Sequence, residues 1–154
     1  MKKKVGFTVV ELLIVIIIIT ILSVIAFPHF ISAQDRGKQS QTVANLRTIA
    51  VILAQYYVDR DRYPTVAGID ELRAELIVNG YTKSLPTKDG WSQNFGYAFY
   101  EDGLSYSLWS CGKGRDVISC DVVEETRGET NSFSEQIVIT DGHFTQYPVG
   151  QQSE

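Results

Sequence analysis

Residues 1–31 read MKKKVGFTVVELLIVIIIITILSVIAFPHFI, and the sixteen residues from Leu12 to Phe27 contain only Thr20 and Ser23 as polar side chains. Apolar character extends outward to Phe7 and Ile31, long enough to cross a bilayer, which takes about 20 residues. Lys2, Lys3 and Lys4 precede this run, and no acid appears before Glu11. The positive-inside rule then predicts a cytoplasmic N-terminus, with everything after Pro28 on the outer side. A cleaved secretory signal carries an apolar region of about 7 to 15 residues ending in a small-x-small site. Here the run is longer and passes through Phe27, Pro28 and His29. A plain single-span anchor and a buried core helix are the other simple readings. The anchor has no use for Glu11, because an acidic residue at membrane depth costs about 2.5 to 3.5 kcal/mol near the centre and marks a functional group whose partner must be named.

The chain has 154 residues, enough for one domain with an appendage. Its 14 basic and 18 acidic residues give a net charge of −4, and without residues 1–6 the remainder has 11 basic and 18 acidic residues, net −7. So acidic a body excludes nucleic-acid binding, which needs clustered Lys and Arg to neutralise phosphates. Cys111 and Cys120 are too few for a structural zinc site. Lying near each other and far from the apolar run, they suit one disulfide in an oxidising compartment, with a pair of free buried thiols as the alternative.

The string KKKVGFTVVELLIVIIIITILSVIAFP combines a basic leader, Gly6, Phe7, Glu11, an apolar run and Pro28 in one order and spacing. It resembles the N-terminal signature of the type IV pilin and pseudopilin superfamily. The resemblance implies that prepilin peptidase, a membrane aspartyl protease, cuts between Gly6 and Phe7 and methylates the new amine of Phe7. Residues 1–6 are then a leader, 7–30 a transmembrane and filament-core helix, and 31–154 the exported domain. Gly6, lacking a β-carbon, lets the backbone approach the protease closely. The implied partners are copies of the chain itself, the peptidase, an inner-membrane assembly platform and its ATPase; no cofactor is implied. The assembly residue is Glu11, whose carboxylate is expected to meet the Phe7 ammonium of a neighbouring copy, since opposite charges at low effective dielectric attract strongly. A contact between Phe7 and Glu11 of one chain, a helical turn apart, is the competing expectation.

Beyond the apolar run, Pro28 lacks a backbone donor and is expected to break the helix by a kink or local melting, after which the helix resumes. Val43, Leu46, Ala50, Leu53 and Tyr57 recur at spacings of three and four, one apolar stripe on an amphipathic helix. Helix from Phe7 to about Asp59 would reach roughly 80 Å. After Tyr63 and Pro64, Ile69, Leu72 and Leu76 mark a short helix over Ile69 to Val78, capped by Gly80. Alternation at Phe95, Tyr97 and Phe99, a turn at Glu101 to Gly103, and Leu104, Tyr106 and Leu108 make a hairpin. A second hairpin joins Gln136 to Thr140 with His143 to Tyr147 through Asp141 and Gly142, a pair suited to a type I′ turn. The expected fold is α+β, a long N-terminal helix packed against an antiparallel sheet of about four strands.

The YPT run at Tyr63 to Thr65, the short helix, the Lys88 to Trp91 loop and the aromatic hairpin resemble the globular part of major pseudopilins of type II secretion, and of related pilins. In that secretion family a loop after the hairpin binds calcium. Here it reads SCGKGRDVISCD from Ser110 to Asp121, and Lys113 and Arg115 are poor neighbours for a cation that wants several oxygen ligands. No metal site is expected; Asp116, Asp121, Glu124, Glu125 and Glu129 read as solvated charges. A Cys111–Cys120 disulfide would staple the loop instead. No catalytic residues are expected: His29 and His143 have no cysteine or serine at motif spacing, and there is no P-loop, G-x-S-x-G or H-E-x-x-H. Three readings follow: a pilus subunit, an inner-membrane single-pass protein that ends in an extracellular filament; a subunit of a periplasmic secretion pseudopilus; and a membrane-tethered enzyme or binding module. The first is favoured by the departure at the calcium loop and by the ending ITDGHFTQYPVG, which resembles that of pilins in some bacterial groups.

Overall fold

A computed structural model describes residues 6–115, 117, 120 and 128–153, with side chains to residue 149. The order is helix α1 (Val9–Arg60), helix α2 (Gly68–Val78), strand β1 (Gly96–Tyr100), a 3-10 turn (Glu101–Gly103), and strands β2 (Ser105–Ser110), β3 (Gly128–Ser132), β4 (Ile137–Thr140) and β5 (His143–Ser153). The chain divides into two compact units, Met1–Gln34 and Asp35–Glu154. In the first, every described residue up to Phe30 is exposed. Thr20 and Ser23 donate their hydroxyls to the carbonyls of Ile16 and Ile19, each at 2.7 Å. Both polar groups of the run are thereby satisfied within the helix, as an apolar surrounding requires. Pro28 lies inside α1, which is assigned as helix on both sides of it, so the expected interruption does not divide the helix into two elements.

In the second unit the fold is α+β, and the sheet has five strands in the order β1-β2-β4-β5-β3. Pairing is antiparallel except for β3 with β5, which is parallel. The half of α1 from Asp35 onward packs its stripe of Leu46, Ile49, Ala50 and Leu53 into a core with Tyr106 and Leu108 of β2 and Ile137 and Ile139 of β4. Each fully buried Leu or Ile contributes about 1.5 to 3 kcal/mol of transfer free energy. Tyr56 ends the stripe in place of the expected Tyr57, which is half-buried and stacks on Tyr63 at 4.7 Å.

Alternation along the strands sends the remaining side chains to the other face, where Trp109, Val138, Cys111 and Cys120 form a second cluster. Gly96 lies opposite Trp109 in the register, and a β-carbon there would overlap the indole ring. The short helix α2 buries Ile69, Leu72 and Leu76. It closes as expected at Gly80, whose N–H reaches the Ile77 carbonyl at 3.1 Å while the Tyr81 N–H reaches Leu76 at 3.0 Å, the paired bonds of a Schellman motif.

Both hairpins form. Thr140 pairs with His143, and Asp141 and Gly142 have φ of 49° and 81°, the two positive values a type I′ turn requires. In the first hairpin Leu104 is 59% exposed and belongs to the turn, so inward alternation resumes at Tyr106.

Candidate functional site

The start of α1 is built around Glu11. The Thr8 backbone N–H and the Thr8 hydroxyl both donate to Glu11 Oε2 at 2.8 Å, while the Glu11 N–H donates to Thr8 Oγ1 at 3.3 Å. This is a capping box, a threonine at the N-cap with a glutamate three residues on. It satisfies donors that a helix start otherwise leaves orphaned. The sequence carries the signal as T-x-x-E at Thr8 to Glu11, which the reading of Glu11 as a membrane-embedded charge had passed over. In the uncleaved chain Glu11 is therefore bound to Thr8. Oε1 has no hydrogen bond among the described residues, which leaves one face of the carboxylate open to a further donor.

From Val9 to Phe30 the large apolar side chains are 46 to 80% exposed, and the helix's own unit does not cover them among the described residues. Such a surface is unstable in water and needs either lipid or other apolar helices around it. An 18-residue window of α1 has the length and composition to cross a membrane.

The unit from Asp35 onward has a polar anchor that the sequence did not disclose. Asp35 is 3% exposed. Its carboxylate accepts the Lys113 ammonium at 2.9 Å and the Trp91 indole N–H at 3.1 Å. Trp91 also donates its backbone N–H to Asp89 Oδ1 at 2.9 Å, and Asp89 accepts the Ser110 hydroxyl at 2.7 Å through Oδ2. The loop that carries Trp91 lies so close to α1 that a β-carbon on Gly90 would strike the Lys38 backbone; the Gly90 N–H donates to Thr42 Oγ1 at 2.9 Å. Two buried aspartates thus tie α1, the Trp91 loop and the loop after β2 together.

Burial alone would raise the Asp35 carboxyl, but the hydrogen bonds from Lys113 and Trp91 and the charges of Lys113 and Lys38 hold it below its ordinary value. A depressed folded pKa stabilises the protein above the unfolded value, and that contribution is lost as pH falls through the folded one, here below about 4. Asp35→Asn is therefore expected to flatten the pH dependence of the urea midpoint below about pH 4, while lowering the midpoint near neutrality. An unchanged acid slope would show that the pair contributes nothing.

Cys111 and Cys120 form a disulfide with Cα atoms 6.0 Å apart, and both are buried. Lys113 sits inside the ring they close. Of the acidic residues read as solvated charges, Glu129 is exposed, while Asp116, Asp121, Glu124 and Glu125 lie outside the described residues, as do Met1 to Val5. Among the described residues no three His, Cys, Asp or Glu side chains gather closely enough to hold a metal ion. His143 is exposed in the second hairpin, its Nδ1 at 3.0 Å from the Asp141 carbonyl, and His29 is exposed on α1.

Comparison with known proteins places both halves of the chain. Residues 29–121 match the family model described as type II secretion system (T2SS), protein G, and residues 1–27 match the prokaryotic N-terminal methylation motif. The type IV major pilin protein PilA of Myxococcus xanthus is 44% identical over 62 residues, which make up 40% of this chain but only 28% of that protein. Type II secretion system core protein G of Pseudomonas aeruginosa is 28% identical over 121 residues, covering 72% of this chain and 84% of that one. The protein G of Vibrio cholerae matches at the same identity over 82% of its length. No solved structure matches at a comparable level. The methylation motif, which runs into the first half of α1, and a protein G match from the rest of α1 through α2, β1 and β2 lead to one assignment: the chain belongs to the family of type II secretion system protein G, within the pilins and pseudopilins.

Proposed function

We propose that the chain is a structural subunit of a type IV pilus-like filament, made as an inner-membrane precursor with a cytoplasmic N-terminus. Prepilin peptidase removes residues 1–6 and methylates Phe7, and the platform and its ATPase then draw the subunit out of the membrane into the polymer. The observation that carries this reading is the contrast between a finished core from Asp35 onward and an apolar helix from Val9 to Phe30 that its own unit leaves uncovered. Copies of the same helix can cover it in the filament as lipid does before assembly. The chain performs no catalysis in this role.

The filament we propose is an extracellular pilus, for which this chain is a main subunit. The pseudopilus of type II secretion is the second reading, favoured by the protein G relatives, which match over more than four-fifths of their length where the pilin matches over little more than a quarter. The deciding experiment images surface-sheared filaments of the native host and determines the mass of their main protein. Long filaments whose subunit begins at methylated Phe7 are expected. Short or absent external filaments alongside a processed envelope protein would move the assignment to the pseudopilus, and an unprocessed chain would overturn both.

A further inference from the structure

The exported part presents two apolar surfaces that its own core leaves open, and they lie toward opposite edges of the sheet. One is a shallow groove of about 230 Å³ between α1 and β5, lined by Val43, Arg47, Phe144, Tyr147 and Pro148. The other is the outer face of α2, where Asp70, Ala74, Ile77 and Val78 follow one another at helical spacing, Val78 being 83% exposed. Helix α2 packs beside β1, at one edge of the order β1-β2-β4-β5-β3, whereas the groove lies at β5, next to the other edge.

The charges on the two surfaces are of complementary kind. The Arg47 guanidinium stands 5.3 Å over the Phe144 ring at the groove. Among the described residues neither it nor Asp70 has an ionic partner, Lys113 with Asp35 being the one ion pair there. Arg73 shares the outer face of α2, and exposed Glu129 on β3 stands across from Tyr147 in the sheet register. Each surface thus carries one charge of each sign beside an apolar centre.

A chain that stacks into an open helical polymer must join two different patches of its own surface, because a patch that pairs with itself closes a dimer. We propose that, in the filament inferred above, the outer face of α2 from one copy seats Ile77 and Val78 in the α1–β5 groove of the next, with Asp70 facing Arg47. The apolar contact excludes water, and the charge pair sets the register. This proposal rests on the filament reading, and its test separates the two.

Full-length chains carrying both Arg47→Cys and Asp70→Cys, with Cys111 and Cys120 retained, are assembled in the filament-forming host, and sheared filaments are treated with a short bis-maleimide cross-linker, which adds one cysteine thiol at each end. A ladder of covalent oligomers is expected from the double variant, and none beyond a dimer from either single one. Filaments that give no ladder overturn the contact while leaving the filament reading intact; a wild-type host without filaments overturns both. Should the cysteine variants fail to assemble, charge reversal decides. Arg47→Glu and Asp70→Arg are each expected to lower filament yield by about tenfold or more, and the two together to restore most of it. Single reversals that polymerise like wild type, or a double variant no better than the singles, would overturn the contact.

Discussion

Glu11→Ala subunits are expected to lose residues 1–6 normally yet to yield less than about a tenth of the wild-type filament. In the polymer proposed here the Phe7 ammonium of each copy lies among apolar helices, and an ionisable group unpaired at that depth costs about 2.5 kcal/mol or more. A penalty of only about 1.4 kcal/mol per contact already shifts an equilibrium tenfold. The capping box makes a second substitution decisive. Glu11→Gln keeps an acceptor that can reach back to the Thr8 N–H, since glutamine serves at this position of a capping box, but it removes the charge. If the carboxylate acts by pairing with a neighbour's amine, Gln should fail as Ala does. If it acts only as the cap that Thr8 and Glu11 form in the isolated chain, Gln should assemble normally, and the pairing role would be withdrawn. Filament mass per cell and the processed mass of the retained precursor are the two readouts.

Loss of the disulfide is the second large effect. Cys111→Ser with Cys120→Ser opens a ring of ten residues, whose closure the chain-entropy model values at about 2.5 to 3 kcal/mol. In this fold the expected loss is at least that large, because the ring also holds Lys113 against Asp35. Lys113 is partly solvated, so the pair itself is discounted well below a fully buried one. A urea titration of the full chain in detergent should show a lower midpoint near neutrality and a shallower decline on acidification, since a looser Lys113 lets burial raise the Asp35 carboxyl and so removes the stabilisation that its depressed value supplies. An unchanged midpoint would mean that the clustering of Trp109, Val138 and Cys111 holds that face of the sheet without the covalent bond.

What could be read in advance was whatever repeats along the chain. The long helix follows from an apolar run joined to a stripe at three- and four-residue spacing, and both hairpins follow from alternation broken by Glu101 to Gly103 and by Asp141 with Gly142. What could not be read depends on partners far apart in sequence. Strand β3, GETNS, has no alternation of its own and exists because β5 offers it a parallel edge. Asp35 meets Lys113 across 78 positions, so neither residue looks unusual where it stands. Lys113 reads in the sequence only as a poor neighbour for calcium, and its partner becomes visible in the fold. Thr8 differs, because its signal is local: the T-x-x-E of a capping box stands in the sequence beside the charge that overshadows it.

The position of β5 has a consequence for how the subunit comes into being. It follows β3 and β4 in the chain, yet it lies between them in the sheet. During synthesis α1, α2 and the β1–β2 hairpin emerge first and can begin to pack, while β3 has no neighbour and β4 exposes an open edge until His143 and the residues after it arrive. An incomplete chain therefore offers bare strand edges, which are prone to premature association. Insertion of the late strand between β4 and β3 covers both edges at once, so the sheet closes only when β5 is in place.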